Sequence, residues 1–138
     1  MNTKTILAGL AGSFFAFFGG WLIYGMLLMD YFQANTTVYE GLMKDPPDML
    51  FLAVSNLAWG FLFAYLFQKI GTIKSFGAGF TNGLVLSFII TLMFDTSMYA
   101  FFNLNPLSFI VVDIGVGSVF GGVLGGVVGF VLGTGKQQ

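Results

Sequence analysis

Residues 92–117 read LMFDTSMYAFFNLNPLSFIVVDIGVG. Two long apolar runs meet at a short polar turn, Asn103-Leu104-Asn105-Pro106, and each run carries one aspartate, Asp95 and Asp113. Asparagine suits a helix cap and proline the first helical position, so the second run is predicted to be a helix opening at Pro106 under an Asn105 cap. The first run is predicted to be a helix that closes near Ala100. Roughly 20 apolar residues at about 1.5 Å rise cross a hydrocarbon core of about 30 Å. The stretch therefore reads as an antiparallel transmembrane hairpin with an acid in each arm.

The rest of the chain agrees with that reading. Of its 138 residues, 57% are hydrophobic and only 8% are charged, against about 25% charged in a soluble domain. The expected fold is all-α, a single integral membrane four-helix bundle with spans at about 5–29, 47–68, 76–100 and 106–132. The first span resembles a signal peptide at its start, but its apolar run exceeds the usual 7–15 residues or so, so it is expected to be a retained helix. Asp45, before Pro46-Pro47, is the expected cap of the second span. Asp30 to Asp48 is the one extended polar stretch, with Tyr31, Phe32 and Tyr39 suited to headgroup level. The tail from Gly133 to Gln138 is expected to fray.

Four spans put both termini on one side. Lys4, Lys69, Lys74 and Lys136 fall on that side and only Lys44 on the other. The positive-inside rule then predicts cytoplasmic termini, with the Asp30–Asp48 loop and the Phe101–Asn105 turn outward. The localisation so implied is the bacterial inner membrane.

Composition also excludes. Cysteine, histidine and arginine are absent and net charge is −1. That removes the usual zinc sites, haem, iron–sulfur clusters and thiol chemistry, arginine phosphate clamps, and a basic surface for nucleic acid. No cofactor, no catalytic residue and no enzymatic activity are expected.

The chemistry that remains centres on the aspartates. Asp95 and Asp113 lie roughly 8–10 Å below the outer ends of their helices, and helices joined by a short turn are antiparallel neighbours. Asn56 in the second span falls at a similar depth, and Asp30 closes the outer end of the first. Thr91, Ser87 and Thr81 share the helical face of Asp95. One polar cluster is expected in the outer half of the bundle, with Asp95, Asp113, Asn56, Asp30 and Thr91 as ligand, proton or cation contacts. An ionised carboxylate in hydrocarbon costs at least about 2.5–3.5 kcal/mol, whereas polar pairs in membranes return about 0.6 kcal/mol. Two adjacent carboxylates also resist joint ionisation and would share a proton. Hard oxygen donors suit Na⁺, Ca²⁺ or Mg²⁺; the metal, if any, stays open, as does a purely structural role. Below Asp113, Gly117, Gly121, Gly125 and Gly129 recur every fourth residue, a GxxxG-type ridge that lets a second backbone approach closely.

Two resemblances bear on the pair. Phe94-Asp95 is similar to the first motif of intramembrane aspartyl proteases, but the second fails: the glycines follow Asp113 where that family has them before it. Asp95-Thr96-Ser97, with Asp113-Ile114-x-x-Gly117 eighteen residues on, resembles an uncharacterised family of small bacterial four-helix membrane proteins. That family carries Tyr-Asp-Leu-Thr-Asn and then Asp-x-x-Trp-Gly. Here Phe94 stands for the Tyr, Met98 for the Asn and Val116 for the Trp. The resemblance covers the last two spans, implies the four-helix layout with paired aspartates, and supplies no activity.

The leading expectation is a carboxylate site, open to the outer side, that binds or relays a proton, a cation or a small cationic solute. The alternative is a non-catalytic assembly or stabilising subunit, docking on membrane proteins through glycine-rich faces. The lipid bilayer is the expected partner in both. A second copy of the chain or another membrane protein is the protein partner to consider.

Overall fold

The computed structural model describes residues 2–134; Lys136 and the end of the tail lie outside them. The regular elements are helical: α1 (Thr3–Leu22), a π-helical turn (Ile23–Leu27), α2 (Met29–Asn35), α3 (Met49–Ile70), α4 (Phe76–Phe101) and α5 (Leu107–Gly133). Four stretches, Thr3–Leu27, Met49–Ile70, Phe76–Phe101 and Leu107–Gly133, are long and apolar enough to cross a membrane.

Helix starts follow from which side chain first meets free N–H groups. Asn2 Oδ1 accepts from Thr5 N at 2.9 Å and caps α1. Ser75 Oγ accepts from Ala78 N at 3.2 Å and caps α4. Two expected caps are displaced. Asp48, not Asp45, caps α3, accepting from Leu50 N at 3.2 Å and Phe51 N at 3.3 Å. The chain must clear Pro46 and Pro47, each of which pushes its predecessor out of helical backbone, before the helix can begin. At α5, Pro106 itself is the cap residue, in extended backbone at φ −71° and ψ 160°. Asn105 therefore stands one residue outside the helix and does not cap it. Gly71 closes α3 in the left-handed region at φ 76°, a conformation glycine adopts without a Cβ clash.

The helices pack in the order α3, α1, α5, α4: the α4–α5 interface is the most extensive, α1 lies on both α3 and α5, and α3 scarcely meets α4. Phe63, Phe67, Leu124, Val128 and Ala8 form the buried centre where α1, α3 and α5 converge. Ser13 Oγ donates to Gly9 O at 2.8 Å within α1 and lies 3.3 Å from Leu57 O of α3, holding those two backbones together. Most large apolar side chains face outward, Phe14, Leu27 and Phe101 among them, as a lipid environment permits.

The two ends differ in charge. The carbonyl of Lys74 lies against Gly133, so the starts of α1 and α4 and the ends of α3 and α5 share one end, with Lys4, Lys69 and Lys74. Ile73 is buried there, in the connection between α3 and α4. At the opposite end the polar segment after α2 crosses the α4–α5 turn. Thr37 N donates to Leu104 O at 2.7 Å and Tyr39 Oη to Asn103 O at 3.3 Å.

Candidate functional site

The register of α4 on α5 sets the site. Small residues recur every fourth position on α4, at Gly79, Gly83 and Ser87, and these are buried. They face the glycine row of α5: a Cβ on Gly129 would lie 2.9 Å from Gly79 Cα, one on Gly125 2.8 Å from Gly83 Cα, and one on Gly117 2.8 Å from Thr91 Cγ2. Ser87 sits on Gly121. One helical turn further outward, the same antiparallel register brings Asp95 opposite Asp113. There the small residues end and a gap lies between the helices.

The gap so formed is a cavity of about 200 Å³, lined by Asp95, Asp113 and Asn105 among apolar side chains that include Phe94, Tyr99 and Phe109. Asp95 is only 8% exposed. Its Oδ2 is buried and meets no hydrogen-bond donor among the described residues, and the same holds for Asn105 Oδ1. Unsatisfied buried acceptors are rare in folded proteins, because each forfeits its hydration without compensation. Here two such acceptors share one cavity.

Asp113 has a partner that the sequence reading did not single out. The Tyr24 hydroxyl faces its carboxyl and sits beside Gly117, one turn further in. The π-turn makes this possible. It spans Ile23–Leu27 and is closed by Leu28 N donating to Ile23 O at 2.8 Å; such turns re-aim side chains and recur at functional sites. Tyr24 then stacks on Phe32 of α2 (centroids 5.4 Å apart), and Phe32 packs on Phe109 at 4.7 Å. An aromatic row thus joins the short outer helix to the cavity wall. The one signal for Tyr24 in the sequence is a lone hydroxyl-bearing residue at the depth of the aspartates.

The five residues of the expected cluster separate. Asp95 and Asp113 line the cavity together. Thr91 lies one turn below Asp95, with its hydroxyl donating to Ser87 O at 2.8 Å and its methyl toward Gly117. Asn56 is outside the cavity, its amide donating to Leu52 O at 2.8 Å on its own helix. Asp30 is exposed in the first turn of α2, because the chain has already left the span at the π-turn. Thr81 is exposed as well, bonded to Gly77 O at 3.1 Å. Among the described residues, no three Asp, Glu, His or Cys side chains gather in a way that could hold a metal ion.

No protein-family model matches the chain, and no curated protein or solved structure matches it either.

Proposed function

We propose that this small multi-pass membrane protein binds or relays a cation, either a proton, an inorganic ion or a small cationic solute, at the Asp95–Asp113 cavity. The observation that carries the proposal is the Asp95 carboxyl: nine-tenths buried, with one oxygen unpartnered among the described residues, it lines a cavity that a second carboxylate also lines. An acid in that position lowers stability unless something positive meets it. The lysine distribution supports a cytoplasmic lysine end, which turns the cavity end outward, and the bacterial inner membrane is the proposed location.

The alternative, a stabilising subunit docking through glycine faces, has less support. The Gly121, Gly125 and Gly129 surfaces lie against α4 of the same chain, so that ridge offers a partner no free face.

The test uses the full chain in phosphatidylcholine nanodiscs, titrated calorimetrically with Na⁺, Ca²⁺, Mg²⁺ and an alkylammonium salt, and in liposomes with a lumenal pH dye. Saturable binding of at least one cation, or proton movement, is expected in the parent and absent in folded Asp95→Asn and Asp113→Asn variants. Parent and variants that behave alike in every arm would remove the proposal.

A further inference from the structure

We infer that the cavity between α4 and α5 takes a primary ammonium group carried on a small apolar body, a reading that rests on the carboxylate site proposed above and narrows its ligand class. Three acceptors converge there: Asp95 Oδ2, Asn105 Oδ1 and the Asp113 carboxyl. The first two are buried and unpartnered among the described residues. A primary ammonium carries three N–H donors and no acceptor, so its hydrogen-bonding capacity matches this set. An amide oxygen beside two carboxylates favours a charged donor.

The rest of the wall argues against a bare metal ion. Ca²⁺ takes about 6–8 oxygen ligands and Mg²⁺ holds a near-octahedral shell that keeps several waters. Here the three acceptors are surrounded by hydrocarbon: Phe94, Met98, Tyr99, Phe102, Phe109 and Ile110. Aromatic faces attract cations, and the aliphatic groups suit an apolar body. At about 200 Å³ the cavity is somewhat larger than the ~150 Å³ cavity that holds benzene in an engineered protein, which sets the ligand at roughly six to eight non-hydrogen atoms. Among the described residues no lysine lines the cavity, and Lys44, the described lysine at that end, pairs with Asp48 at 4.0 Å. The wall therefore holds no positive charge to pair with an anionic group; the charge it binds is the ammonium, and any anionic group the ligand carries is left to the water outside. Two sources could present it: a free amine, or the headgroup of phosphatidylethanolamine reaching in from the bilayer surface.

Cyclohexylammonium is the probe, titrated into the full chain in phosphatidylcholine nanodiscs. Its trimethyl quaternary analogue lacks N–H donors, cyclohexanol lacks charge, and Na⁺ lacks the apolar body. The primary ammonium is expected to bind at least about tenfold more tightly than either organic analogue. Asp95→Asn and Asn105→Ala should each weaken it at least about fivefold. Asn105 lies outside both helices, so its variant carries the test if Asp95→Asn does not fold. Repeating the titration in discs containing phosphatidylethanolamine separates the sources: competition that Asp95→Asn removes assigns the headgroup, and unchanged affinity assigns a free amine. A quaternary analogue that binds as well as the primary one would overturn the inference. So would Asp95-dependent binding of Na⁺ with cyclohexylammonium excluded, although the carboxylate site would then stand. If no cation binds in an aspartate-dependent way, both readings fall.

Discussion

Ser87 lies so closely on Gly121 that its hydroxymethyl group fills the volume any side chain at 121 would need. The pair fixes how near α4 and α5 approach, and through the shared register it fixes the separation of Asp95 and Asp113 two turns further out. Overpacking such a contact typically costs about 1–3 kcal/mol. Gly121→Ala should lower thermal stability in mild detergent by that order, Gly121→Leu by more, and Ser87→Gly should recover part of the Gly121→Ala loss. Gly115 offers the contrast, since a Cβ there meets nothing within 4 Å. Gly115→Ala should leave the melting temperature unchanged, or raise it through better helix propensity by up to about 1 kcal/mol. A Gly121→Leu protein that melts like the parent would refute the packing described.

The two aspartates should respond differently to neutralisation. Asp95 is more buried and holds an unpartnered oxygen, so Asp95→Asn is expected to stabilise the empty protein by about 1 kcal/mol or more. Asp113 has the Tyr24 hydroxyl beside it, a polar contact of a kind worth about 0.6 kcal/mol on average in membranes, and Asp113→Asn should be close to neutral. Unfolding titrations of both variants check the order. A large loss of stability at Asp95→Asn would mean that its carboxyl is a structural partner after all.

Tyr24→Phe keeps the ring stacked on Phe32 and removes only the hydroxyl. Stability should fall by less than about 1 kcal/mol. The carboxyl band assigned to Asp113 by infrared difference spectroscopy against Asp113→Asn should shift, while the Asp95 band should stay. An unmoved Asp113 band would show that the hydroxyl does not reach that group in the membrane.

Topology is tested by labelling. Cysteines at Gln33 and Asn103 should react with an impermeant maleimide applied to intact cells, and one at Thr72 should react only after the cells are opened. The reverse pattern would invert the orientation drawn from the lysines.

How much of this could be read from the residues depends on the kind of signal. Hydropathy marks the spans because a run such as Ile6–Leu28 has no alternative use in water. The four-residue spacing of Gly117 to Gly129 is visible because the row is unbroken over four turns, although Gly122 and Gly126 run beside it. The facing row on α4 is harder to see: Gly79, Gly83, Ser87 and Thr91 mix residue types, and Thr81 offers a competing face that the structure leaves exposed. The π-turn has no marker beyond Gly25, and it is the π-turn that aims Tyr24 at Asp113 and ends the span before Asp30. Asn105 is misread for a related reason. Asparagine before proline looks like a cap, yet Pro106 takes that position and frees the amide for the cavity.

Because α3 scarcely touches α4, the two pairs of spans on either side of residues 71–75 are joined chiefly through α1 and α5. All three acceptors of the cavity belong to the second half, while Tyr24 and Phe32 come from the first. A chain severed at Gly71 would thus leave the acceptor set and the cavity's own aromatic wall, Phe94, Tyr99, Phe102 and Phe109, on one fragment, with Tyr24 and Phe32 on the other. On the proposed reading the second hairpin would then be the receptor, with the first packed against it through α1.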